Sequence, residues 1–327
     1  MSRIVVVGGG TGISQLLEAL KEDWEEIFAI VAMTDDGGGS GVLRKWWGAL
    51  PLGDVRNCMA ALADSKTMRD LIQYRFTESA LEGQSLGNLL LFVLSEITGS
   101  VEESVKALSE ILRLQGEILP VTYEAVHLVA DFENGDKCIG ESRIPIACER
   151  LQTRIRRMGL FPRPPQMNPR CKEVIEGADV IVLGPGSLFT SIIPNLLVEG
   201  MKETLEKSDA PMFLVVNAMT QRGETQGFGV REHLDAVEEV LGRGAVDGLL
   251  INDTIPPEDC LRLYEEKESS HLVRLTERER DELLAEKRIL LCGDFLKDQN
   301  FLIRHDGEKI SKAFLQWCKD ALQCKKN

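Results

Sequence analysis

Ile4-Val5-Val6-Val7-Gly8-Gly9-Gly10-Thr11-Gly12 is an apolar run that breaks into glycines and a hydroxyl, after which Ile13, Leu16, Leu17 and Leu20 resume the apolar pattern at helical spacing. A strand, a tight turn and a helix start account for this order. Glycines let backbone amides close on a ligand, and a helix N-terminus adds unpaired N–H groups and a positive partial charge, so the turn favours an anion, with phosphate the first candidate. A dinucleotide fingerprint would want a small residue where Ile13 stands. The segment reads as a generic nucleotide or phosphate site, or as a structural strand-to-helix turn.

Further apolar runs at Ile27–Ala32, Val180–Leu183, Met212–Val216, Gly248–Ile251 and Ile289–Leu291 are mostly separated by amphipathic stretches. That pattern predicts an α/β class: a Rossmann-like, mostly parallel sheet with helices on both faces. The 327 residues read as one domain, 1–327, with a helical insertion at about 54–114 (helices near 54–64, 66–75, 87–97 and 101–113) that walls a cleft. From Val121 to Ile144 the period changes to two around Asn134-Gly135, predicting a small antiparallel hairpin unit at about 121–144. Gly159–Pro169, with four prolines, reads as a linker ending in Asn168-Pro169, an N-cap and first helical residue for 169–176. Arg150, Arg154, Arg156 and Arg157 read as a solvated helix face, and a last helix is expected at about 308–323.

A net charge of −14 argues against nucleic-acid polymers as partners, although a small nucleotide can bind where a few cations and amides converge. No apolar run approaches the roughly 20 residues of a membrane span, and the chain enters a strand without a basic leader. The expectation is a cytoplasmic protein without membrane insertion. Eight scattered cysteines without a C-x-x-C pair read as reduced thiols rather than a zinc site. The four histidines are dispersed, and His127 reads as structural within a strand.

The second strand leads into Thr34-Asp35-Asp36-Gly37-Gly38-Gly39-Ser40-Gly41, two acids and a glycine run at a strand's carboxyl end. Open parallel sheets bind ligands there, and a carboxylate can hold hydrated magnesium or a ribose hydroxyl. In Gly53-Asp54-Val55-Arg56-Asn57, Asp54 is a site acid or a helix N-cap, while Arg56 and Asn57 reach phosphate or stay ordinary surface groups. A second glycine turn, Gly184-Pro185-Gly186-Ser187, follows another buried strand, and the two turns could face one crevice. Ser85-Leu86-Gly87-Asn88 and Asn217-Ala218-Met219-Thr220-Gln221 offer amides and hydroxyls for a base and sugar, with Ser85 and Asn217 as alternative helix caps.

The ordered set Gly8–Gly12, Asp35–Gly38, Gly53–Asn57, Ser85–Leu90, Gly184–Ile192, Asn217–Gln221 and Arg304-His305-Asp306 closely resembles the gluconeogenesis factor family, within the 2-phospho-L-lactate transferase superfamily, nearly end to end. The resemblance implies a UDP-sugar-binding regulator that links carbon flux to envelope-precursor synthesis and cell shape. The superfamily's other branch implies a magnesium-dependent transferase of a phosphoryl-containing group. The acids that match that branch's metal positions are Asp36 and Asp54. The nucleotide contacts are expected from Gly9, Gly10, Thr11, Gly12, Asp35, Asp36, Gly37, Gly38, Arg56, Asn57, Ser85, Asn88, Gly184, Gly186, Ser187, Asn217, Thr220 and Arg304, with Thr11 and Arg304 foremost. The partners implied are a UDP-sugar or related nucleotide and envelope-synthesis proteins, with a homo-oligomer allowed. An NAD-dependent oxidoreductase is argued against by the incomplete fingerprint. Thr34, Gln84 and Gly39 depart from the family's usual alanine, histidine and serine, which weakens acid–base work at position 84. Gly307 stands where some members carry a modifiable threonine.

Overall fold

The computed structural model describes residues 2–37, 44, 48, 50–78, 80–299 and 302–324. Its strands are β1 (Arg3–Gly8), β2 (Glu26–Val31), β3 (Glu117–Pro120), β4 (His127–Phe132), β5 (Lys137–Ile139), β6 (Ile155–Phe161), β7 (Val180–Leu183), β8 (Met212–Val215), β9 (Gly248–Asn252), β10 (Ile289–Gly293), β11 (Leu296–Gln299) and β12 (Leu302–His305). Seven form one sheet in the order β10-β9-β8-β7-β1-β2-β3, parallel throughout. The α/β class expected from the sequence is present. β7, β8 and β9 are buried along their whole length, which is why they read as unbroken apolar runs: helices cover both faces. Strand order reverses direction beside β1, whose neighbours are β2 and β7, so the crevice at the carboxyl ends of β1 and β7 is a topological switch point.

Helix α1 (Gly10–Leu20) stands where the spacing of Ile13, Leu16, Leu17 and Leu20 predicts one, and α2 (Gly53–Leu62), α3 (Lys66–Gln73), α4 (Leu86–Thr98) and α5 (Val101–Leu112) lie within two residues of the predicted bounds. β4 and β5 form the expected hairpin unit, but its third strand is β6, where the sequence suggested a helix face and then a linker. The helix Ile144–Arg150 stops at Arg150, and Arg156 and Arg157 lie within β6. A register shift at Asp131/Phe132 leaves both arginines exposed side by side, which erases the alternation that marks a strand. Asn168 caps Pro169–Glu176 as expected, accepting the Arg170 amide at 3.0 Å.

The closing helix, Gly307–Cys324, packs Phe314 and Trp317 edge-on against Phe213 of β8, with centroids 5.3 and 4.8 Å apart. Its first residue presses on α1, where a Cβ at Gly307 would stand 2.3 Å from the Gln15 carbonyl oxygen. The seven described cysteines are free thiols, and among the described residues no helix is long and apolar enough to cross a membrane.

Candidate functional site

The two glycine turns meet. A Cβ on Gly12 would lie 2.2 Å from the Pro185 carbonyl oxygen and 2.6 Å from Gly186 Cα, so only glycine lets the turn after β1 close on the turn after β7. Gly10 plays the same part toward α2: a Cβ there would lie 2.4 Å from Asp54 Cα. Asn195, fully buried, bolts the seam by donating from Nδ2 to the carbonyls of Gly8 (3.1 Å) and Ser191 (2.8 Å).

A cleft of about 720 Å³ opens along this seam, lined among others by Thr11, Gly186, Asn217, Gln221, Lys267 and Arg304. A smaller lobe of about 310 Å³ adjoins it and shares Thr11, Glu141 and Ser191. Asp35, Gly37, Asp54, Arg56, Asn57 and Asn88 line the smaller lobe. The fold thus gathers most of the expected residues into one two-lobed cavity, Arg304 arriving from β12.

Several of the expected residues have partners within the chain, Ser187, Thr220 and Asp54 among the lining itself. Ser85 is fully buried and caps α4, accepting the Asn88 amide at 3.3 Å. Ser187 donates to Glu224, and Thr190 donates to Ser187 at 2.7 Å, so the second turn's hydroxyls are held by a carboxylate of the chain itself. Thr220 accepts the His271 amide at 2.8 Å and pins the wall formed by residues 270–271. Asp54 is in the first turn of α2 without capping it, and accepts the Gly10 amide. Gly38 lies outside the described residues.

Burial and then the neighbouring Asp35 carboxylate push Asp54 up to about 6. Asp35 and Asp54 therefore form the carboxylate pair of the small lobe. Asp36, paired with Asp54 in the sequence reading, lines neither lobe and turns toward the hairpin unit, accepting the Ser142 amide at 2.9 Å. Among the described residues no group of three or more acids, histidines or cysteines has metal-holding geometry. Magnesium, however, is commonly held by one or two carboxylates plus phosphate oxygens and water, so the pair Asp35 and Asp54 suits it.

Among the site residues that escaped the sequence reading are Glu141, Glu224 and His305. Glu141, at the boundary of the lobes, is pushed up to about 8 by burial and then by Asp35, Asp54, Asp36 and Glu224. Nothing in its local sequence marks it, since it arrives on the turn after β5. Glu224 follows the Asn217–Gln221 motif by three residues, a proximity that could have flagged it, and burial raises its carboxyl. His305 lines the large cleft, bonds the Val216 carbonyl, keeps Nε2 unpartnered, and is driven down to about 4 by enclosure.

The family model described as 2-phospho-L-lactate transferase CofD matches residues 4–290. The gluconeogenesis factor of Halalkalibacterium halodurans is 39% identical over 96% of this chain and 95% of its own length. That of Bacillus subtilis is 38% identical over 97% and 98%. A crystal structure of a Bacillus halodurans protein superposes with a TM-score of 0.90 at 38% identity, covering 96% of this chain and 99% of that one.

Proposed function

This chain belongs to the 2-phospho-L-lactate transferase CofD family, and from that premise we propose that it is a nucleotide-sugar-binding regulator, with a UDP-sugar as ligand, acting on the supply of carbon to envelope precursors. The observation that carries the reading is the interlocked seam. Two glycine turns close on each other through Gly12 and Pro185 and open one cleft toward the polar Asn217–Gln221 loop, with Arg304 and Lys267 as cations along it. Phosphates would lie at the start of α1, where Thr11 and Gly12 line the cleft, and base and sugar along residues 217–221. The relatives named gluconeogenesis factors support the regulatory half of the proposal.

The carboxylate pair in the adjoining lobe favours a second reading, a magnesium-dependent transferase. Asp35 and Asp54 would hold the ion, which supplies charge to polarise a phosphoryl oxygen. The chain's own part would be to seat the phosphates at the glycine seam.

Thermal unfolding with UDP-N-acetylglucosamine, UDP-glucose, GDP, NAD and a deazaflavin, each with and without magnesium, tests both. Selective binding at a hundredfold excess over Kd stabilises by about 2.7 kcal/mol, a measurable rise in Tm. A rise with a UDP-sugar and none with NAD is expected. Stabilisation by NAD alone would overturn the proposal, and magnesium-dependent stabilisation by GDP and the deazaflavin would favour the transferase.

A further inference from the structure

We propose that the exposed face of α4 is the contact through which two copies of this chain pair, antiparallel, about a two-fold axis. The inference stands on the helical insertion alone and is independent of the nucleotide-sugar reading of the cleft.

Helix α4 is apolar on every side: eight of its 13 residues, in the order Leu-Gly-Asn-Leu-Leu-Leu-Phe-Val-Leu-Ser-Glu-Ile-Thr, are Leu, Ile, Val or Phe. A helix of that composition belongs inside a protein. Yet of the eight only Leu91 is buried, and Ile97, 74% exposed, is the most exposed large apolar side chain among the described residues. The buried side carries Gly87, Asn88 and Leu91. At 3.6 residues per turn the opposite side carries Leu86, Leu90, Val93 and Ile97, at spacings of four, three and four residues, the pattern with which one helix packs along another. Val93 is 49% exposed, and Tyr74, 54% exposed, extends the strip past Leu86, whose amide donates to the Tyr74 carbonyl at 2.9 Å. A continuous apolar strip left open to water marks a contact surface.

The strip is complementary to itself, which selects a second copy as its occupant. Laid antiparallel on its own image, it sets Leu86 against the partner's Ile97 and Leu90 against the partner's Val93, each pair occurring twice as two-fold symmetry requires. The charges favour the same direction. Arg75, exposed, stands at the start of α4 through its bridge to Ser85, and its guanidinium donates to the Gly83 carbonyl at 2.7 Å. Glu96, exposed near the other end, has no ion pair among the described residues. Antiparallel pairing brings each Arg75 toward the partner's Glu96 and sets the positive start of one helix beside the negative end of the other, whereas parallel pairing would put like ends together. Arg75 and Asn88 also line the smaller lobe, so this contact abuts the site.

Sedimentation velocity of the full chain tests the assignment on wild type, Val93→Glu, Ile97→Glu, Arg75→Glu, Glu96→Arg and the double variant Arg75→Glu/Glu96→Arg, with far-UV circular dichroism to check that each folds. Wild type should sediment at twice the mass of one chain at roughly micromolar concentration. Val93 and Ile97 are exposed, so a carboxylate at either should leave the helical signal intact and weaken the dimer at least roughly tenfold, each change counting twice across the axis. Either single charge reversal should weaken it severalfold, and the double reversal should restore it. A monomeric wild type, or a dimer unmoved by both Val93→Glu and Ile97→Glu, would overturn the proposal. A wild type that stays monomeric and pellets with phosphatidylglycerol vesicles would overturn it in favour of a membrane surface. Single reversals without effect on the dimer would overturn the antiparallel arrangement.

Discussion

Gly12→Ala isolates the seam on which the site depends. The new methyl would stand 2.2 Å from the Pro185 carbonyl oxygen, and both contact atoms belong to rigid turns, so the turns must part by on the order of 1 Å. Overpacking of this kind costs about 1–3 kcal/mol, and the backbone nature of the contact puts it toward the upper end. Against that stands the helix preference of alanine over glycine, at most ~1 kcal/mol in the first turn of α1. The net loss should be about 1–2 kcal/mol, lowering Tm by ~1.5–3 °C in a chain of this size. Gly186→Ala is the internal control. It lies on the same seam, but its Cβ would meet nothing closer than Ser191 Cβ at 3.5 Å, so it should change stability by less than about 0.5 kcal/mol. Calorimetry and urea unfolding of the three proteins, with UDP-sugar titrations beside them, give the comparison. A Gly12→Ala protein as stable as wild type, or a Gly186→Ala protein equally damaged, would refute the interlocking.

Arg304→Lys keeps the charge and loses the fork of donors, so UDP-sugar affinity should fall roughly tenfold with the unliganded Tm nearly unchanged; equal affinities by titration calorimetry would remove Arg304 from the site. His305, neutral and enclosed, titrates near 4 in the fold against 6.5 in the unfolded chain. Its contribution to stability is therefore complete above pH 6.5 and is lost as pH falls toward 4, up to about 3 kcal/mol. His305→Asn, which can still donate to the Val216 carbonyl, should flatten that part of the pH–stability curve, and an unchanged slope would show that the ring is not enclosed.

Six of the seven strands of the main sheet were legible because strands covered on both faces read as unbroken apolar runs. β3 was not, being four residues that end in Pro120 at the sheet edge, too short for any period to show. β6 hid behind the shift that turns Arg156 and Arg157 outward together. The glycine turns were legible as local signals, whereas the partner each glycine makes room for was not: Gly12 serves Pro185 and Gly87 serves Arg56, across gaps no window spans. The resemblance matches Asp36 to a metal position, and a sequence alone does not tell which of two adjacent acids faces Asp54. Only the backbone decides that Asp35 faces Asp54 while Asp36 meets the Ser142 amide.

The pairing of β1 with β7 has a consequence during synthesis. Ile4 to Val7 finds Val180 to Leu183 beside it only after some 170 further residues have been made. Until then one edge of a fully apolar strand has no partner, and an unpaired apolar edge is a template for strands of other molecules. The glycine seam and the cleft cannot exist before β7 is made, and a ligand that bridges the seam can act only after that, as a clasp between earlier- and later-made parts.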